Sequence, residues 1–145
     1  MAQVQRSALV AFSAASMFDL VNDVESYPEF LPGCADSRID QHSDDAMQAS
    51  LLISKAGIKQ WFTTRNHWVK NQRIDMSLVD GPFSALSGGW VFTPLNESAC
   101  KIELNLQFEF NSRLTQLAFG KVFNSIAANM VDAFTARAKQ VYSHG

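Results

Sequence analysis

The chain predicts an α+β fold in which a curved antiparallel sheet grips one long C-terminal helix. Two observations carry this prediction. In KIELNLQFEF, Ile102, Leu104, Leu106, Phe108 and Phe110 alternate with Lys101, Glu103, Asn105, Gln107 and Glu109, and a strict period of two marks a strand with one buried and one wet face. From Ser112 to about Tyr142 the chain has no proline and one glycine, Gly120. At ~100° per residue, Phe119, Phe123, Ile126, Ala127, Met130, Phe134 and Val141 share one stripe, opposite Lys121, Ser125, Asp132, Thr135 and Lys139. About 30 residues at 1.5 Å rise give a helix of ~45 Å, the cover that a one-faced apolar sheet requires.

The other elements follow in order. Residues 3–12 read as a first strand. Ser13 is an N-cap candidate for a helix whose Met17, Leu20, Val21 and Val24 recur at helical spacing. In VESYPEFLPGC, Pro28 and Pro32 exclude a long helix or a central strand, since proline lacks a backbone donor; a short helical turn and a loop are expected. Its Tyr27, Phe30 and Leu31 are bulky for a loop and need something to face. From residue 34 to 110, turn signals HSDDA, KAGIK, VKNQR, DGPFSALSGG and PLNESA separate about six strands. RIDMSL repeats the alternation with Ile74, Met76 and Leu78, and WVF sets Trp90 and Phe92 on one side. With no repeat, low-complexity tract or linker, one domain over residues 3–142 is expected.

Composition narrows the class. The 145 residues are 47% hydrophobic and 18% charged, with eleven phenylalanines and three tryptophans, as in a globular chain. No apolar run approaches the ~18 residues of a membrane span, and the N-terminus lacks a signal-peptide layout, so a cytoplasmic address is expected. Cys34, Cys100, His42, His67 and His144 show no metal-ligand spacing; free buried thiols and no metal are expected. No catalytic motif, paired carboxylates or His–Asp spacing marks a reaction centre, which argues against an enzyme such as a cyclase or hydratase.

Charge is unevenly placed. Residues 1–45 hold eight acids and two bases, residues 46–74 five bases and no acid, and residues 75–145 six acids and five bases. The net −2 speaks against DNA. The segment with Lys55, Lys59, Arg65, Lys70 and Arg73 can present a positive face to an anionic partner, or consist of solvated side chains. Within it, Lys59, Trp61, Thr63, Arg65 and His67 share one strand parity, and Ile58, Phe62, Thr64, Asn66 and Trp68 the other. Phe62 inward gives a basic outer face with an exposed tryptophan; Trp61 inward turns Arg65 into the interior. Lys59 and His67 favour the first. Leu114 and Leu117 fall off the apolar stripe of the long helix and are expected near one end of the fold, either exposed or packed on the preceding loop.

FDLVNDVESYPEFLPGC, FTTRN, RIDMSLVDGPF and LSGGWVF, in this order, resemble the coenzyme Q-binding START-domain family, whose bacterial members are also described as RatA-type ribosome-association toxins and polyketide cyclase/dehydrase-like proteins. The resemblance runs over roughly residues 3–142. It implies a helix-grip fold (START/Bet v 1-like) with a hydrophobic tunnel between sheet and helix. It further implies non-catalytic binding of ubiquinone or a related isoprenoid lipid, as ligand and not cofactor, in support of respiration. The alternative function is a toxin that binds the large ribosomal subunit and blocks subunit joining. Carried onto this chain, the tunnel and rim would involve Phe30, Leu31, Phe62, Met76, Phe83, Trp90, Phe92, Phe119, Phe123, Ile126 and Met130. Thr64, Asn66 or Arg65 would meet a quinone head, and Lys55, Lys59, Arg65, Lys70 and Arg73 an anionic membrane or the ribosome. Gly33 stands where the family often has an aromatic residue. From the residues alone, the same apolar set also reads as core filler.

Overall fold

The computed structural model describes residues 2–142. In chain order these form β1 (Ala2–Val10), α1 (Ala14–Asn22), a 3₁₀ helix (Val24–Glu29), β2 (Cys34–His42), β3 (Ala46–Lys55), β4 (Ile58–Val69), β5 (Arg73–Asp80), β6 (Phe83–Asn96), β7 (Ala99–Phe110) and α2 (Arg113–Tyr142). The strands make one antiparallel sheet in the order β1-β7-β6-β5-β4-β3-β2. β2 to β7 pair as successive hairpins, and β1 closes on β7 from the far end of the sequence. This is the predicted architecture. No helix among the described residues is long and apolar enough to cross a membrane.

The helices begin where the capping residues place them. Ser13 Oγ accepts from the Ser16 N–H at 3.0 Å, and Ser112 Oγ from the Thr115 N–H at 3.0 Å, each satisfying one orphan donor of a first turn. α2 buries Phe119, Phe123, Ile126, Ala127, Val131, Phe134 and Ala138. Its final turn corrects the stripe. Val141 is 45% exposed, because the inward line steps by four from Phe134 to Ala138 to Tyr142. Tyr142 packs on Phe12 at 5.8 Å between ring centroids and donates to the Ser16 carbonyl at 2.9 Å.

One turn signal also needs correction. In DGPFSALSGG only Gly81 and Pro82 lie between strands; β6 runs straight through Gly88 and Gly89. A Cβ at Gly88 would lie 2.0 Å from the Asn105 carbonyl oxygen, and one at Gly89 2.0 Å from that of Ile74. The two glycines let the strands on either side approach, which is the other use of glycine within a sheet.

Candidate functional site

Between the concave sheet face and α2 lies a cavity of about 60 Å³. Its floor is Ala49, Leu51 and Ile53 of β3, Phe62, Thr64 and Asn66 of β4, Met76 of β5, Leu86 and Trp90 of β6, and Leu106 of β7. Phe123, Ile126, Ala127 and Met130 of α2 form its roof, and Val24, Tyr27 and Leu31 close one side. The hollow has a cause in residue size. Ala49 and Ala127 face it with one methyl each, Thr64 and Asn66 are short, and Gly88, between Leu86 and Trp90, offers no side chain. A water needs ~10–15 Å³ and a benzene-sized ring roughly 150 Å³, so this conformation has room for a few waters. A lipid would have to widen it.

The Tyr27–Leu31 stretch now has its answer. Leu31 is buried and faces the cavity. Phe30 does not: it packs edge-on against Phe134, centroids 5.1 Å apart, with the Arg137 guanidinium 5.0 Å over its ring. Arg137 Nη2 also pairs with Glu29 at 3.1 Å, so the 3₁₀ helix is fastened to α2 from outside. Gly33 has φ +84°, and a Cβ there would come within 2.6 Å of Ile126 Cδ1. Ile126 of α2 thus fills the space beside Gly33.

Three more expected wall residues lie elsewhere. Phe83 begins β6 and packs back on Phe108, Phe110, Phe119 and Phe123. Phe119 joins the same ring cluster. Phe92 stacks with Trp90 and meets Phe18 of α1. Large rings at these positions fill space between sheet and helices and leave no hollow. Phe62, Met76, Trp90, Phe123, Ile126 and Met130 do line the cavity. Sequence reasoning missed Val24, Tyr27, Ala49, Leu51, Ile53, Leu86, Leu106 and Ala127 as wall. For β3 the signal was present, because Ala49, Leu51 and Ile53 alternate with Ser50, Leu52 and Ser54.

The wall carries no carboxylate, imidazole, amine, guanidinium or thiol. Tyr27 donates its phenol to the Val21 carbonyl, and burial raises its pKa, with Cys34 and Asp23 adding to the effect. Beside it, burial pushes the Cys34 thiol up to about 11. Cys34 and Cys100 are free and buried. Among the described residues no group of three or more metal-ligating side chains exists; His144 lies outside them. The polar part of the wall is Thr64 with Asn66: Thr64 Oγ1 donates to Asn66 Oδ1 at 2.8 Å.

The outer face of β4 has the favoured parity. Lys59, Arg65 and His67 are exposed, and Trp61 lies outward, half-buried, under the Arg38 guanidinium at 4.8 Å. Of the two readings of the basic segment, a positive face or solvated side chains, the register favours a broken face. Register sets Asp80 opposite Thr63 and Asp75 opposite His67; Asp75 pairs with Arg73 at 3.3 Å and Asp45 with His67 at 3.3 Å. Lys55 and Lys59 lie at one end of β4 and Lys70 and Arg73 at the other, roughly 35 Å apart at ~3.3 Å per residue. A segment that is basic in sequence becomes mixed once neighbouring strands contribute their acids.

A curved seven-stranded sheet, a gripped helix and an apolar cavity between them define a helix-grip protein of the START type. The chain belongs to the family described as polyketide cyclase / dehydrase and lipid transport, whose profile matches residues 10–135. It is 61% identical, over 98% of its length and 99% of the relative's, to "Ribosome association toxin RatA" of Vibrio cholerae. It is 24% identical to "Coenzyme Q-binding protein COQ10 homolog B, mitochondrial" of Xenopus laevis, covering 97% of this chain and 59% of that protein. Among solved structures, the Zhui aromatase/cyclase of Streptomyces sp. R1128 superposes with a TM-score of 0.86, covering 99% of this chain and 98% of the other. At 17% identity, that likeness speaks for the fold alone.

Proposed function

We propose that this protein binds the large ribosomal subunit in the cytoplasm and blocks its joining to the small subunit, without catalysis. The observation that carries this reading is the 61% identity, nearly end to end, with the Vibrio cholerae ribosome association toxin. Two surface features suit such a role. Leu114 and Leu117, 77% and 76% exposed, stand on the first turns of α2 between Arg113 and Lys121. Lys59 and Arg65 have no ion-pair partner among the described residues and flank Trp61 on the outer face of β4. With the basic segment divided, rising salt is expected to weaken the association only partly. Sedimentation of purified subunits with increasing protein is the test: the joined particle should decline while free subunits accumulate. An unchanged profile at saturating protein overturns the proposal.

The cavity favours a second, compatible reading, binding of an apolar lipid such as ubiquinone. Its support is the family's lipid-transport description, the distant coenzyme Q-binding relative and the apolar wall. Mass spectrometry of lipid extracted from the purified protein tests it. A protein that copurifies with no lipid and takes up none from vesicles containing ubiquinone would defeat it.

A further inference from the structure

The polar pair in the cavity wall has no structural task that accounts for it. Thr64 and Asn66 are 7% and 8% exposed, on the concave face of β4, with Ala49 opposite Thr64 on β3 and Met76 opposite Asn66 on β5. An apolar pair at these positions would avoid the cost of burying an amide that is only partly paired. Thr64 gives its proton to Asn66 Oδ1 at 2.8 Å. This occupies the amide oxygen and steadies the carboxamide plane. The Asn66 Nδ2 has two protons to donate and no partner among the described residues.

We propose that Asn66, oriented by Thr64, is a hydrogen-bond donor inside the cavity for the carbonyl oxygen of an otherwise apolar ligand. The chemical class is a ketone, ester or quinone carbonyl on a hydrocarbon body. The apolar wall takes the body, and the amide fixes its depth and orientation. This rests on the second reading above, that the cavity takes an apolar molecule. Charged headgroups are excluded, because the wall offers them no counter-charge.

The test uses 2-heptanone and 2-methyl-1-heptene, in which a methylene replaces the oxygen at nearly constant shape. Methyl resonances of Met76 and Met130 report entry of either probe, and the side-chain amide resonance of Asn66 reports the hydrogen bond. With the ketone, all three should shift; with the alkene, the methyls alone. Asn66→Leu should weaken ketone binding about three- to tenfold, the worth of one neutral hydrogen bond, and leave alkene binding equal or tighter. Thr64→Val should give a smaller loss for the ketone by freeing the amide to rotate. Should Asn66→Leu not fold, the amide shift in the unaltered protein decides. Methyl shifts with a silent Asn66 amide overturn the donor role while the cavity remains a ligand site. Methyls silent to both probes overturn the cavity reading and the donor role with it.

Discussion

The two halves of the space under α2 are built differently. Toward the start of the helix, Phe83, Phe108, Phe110, Phe119 and Phe123 pack ring against ring, with centroids 4.9 to 6.4 Å apart. Toward the middle, Ala49, Thr64, Asn66 and Ala127 leave a hollow. Both regions lie on the same concave face, the filled one on β6 and β7 and the hollow spread over β3 to β7. Side-chain bulk therefore separates a region packed solid from one left hollow. Phe62 and Phe123 form the boundary: their rings meet at 5.8 Å, and both also line the cavity.

The sharpest way to break this contrast is to empty the filled half. Phe108 is fully buried, and Phe108→Ala should cost about 3–5 kcal/mol, read by urea unfolding. A loss below ~1 kcal/mol would show that the cluster is loosely packed. The converse change is Ala49→Val, which adds two methyls facing the hollow. It should raise stability by up to ~1.5 kcal/mol, at about 0.8 per buried group, and abolish 2-heptanone binding. A clear destabilisation would mean that the hollow is already filled.

Alkaline titration addresses the side of the hollow alone. In the folded protein the Cys34 thiol titrates near 11, against an ordinary value of 9.0. Below pH 9 both folded and unfolded chains hold the proton, and the stabilising effect is complete. As pH rises from 9 toward 11, the unfolded chain releases the proton while the folded one keeps it, so stability falls. Melting temperature should decline across this window, and Cys34→Ala should reduce the slope. An unchanged slope would place the alkaline sensitivity elsewhere, with Tyr27 the next group to replace. The smallest stability effect belongs to a region outside both halves. Changing Leu114 and Leu117 to serine should shift stability by less than ~0.5 kcal/mol per site while weakening ribosomal-subunit binding. A large loss of stability would assign them to the core.

Alternation made β5, β7 and the grip of α2 legible from the residues, because period two and period 3.6 are direct imprints of one-sided burial. The distinction between filled and hollow was not legible. Phe83 and Phe119 carry the same apolar signal as Phe62 and Phe123, and only the three-dimensional sum of side-chain volumes decides which face a void. Gly88 and Gly89 misled for a related reason: a glycine pair advertises a turn unless the approach of adjacent strands is known. The division of the basic segment was not legible because sequence charge is one-dimensional, whereas a sheet juxtaposes Asp75 and Asp80 with His67 and Thr63.

The pairing of β1 with β7 has a consequence for how the chain is made. Ala2 sits opposite Phe108 and Val10 opposite Cys100, so β1, the first of the described strands, can pair only after the last of them, β7, has been made. β2 to β7 can zip as local hairpins, but this final pairing must close a loop of most of the chain, an entropic cost that slows folding. Until it does, β7 offers an unpaired edge beside the apolar row Ile102, Leu104, Leu106 and Phe108, an invitation to pair with another chain. Removing β1 would make that transient hazard permanent, and such a truncated chain should aggregate while keeping most of its hairpins.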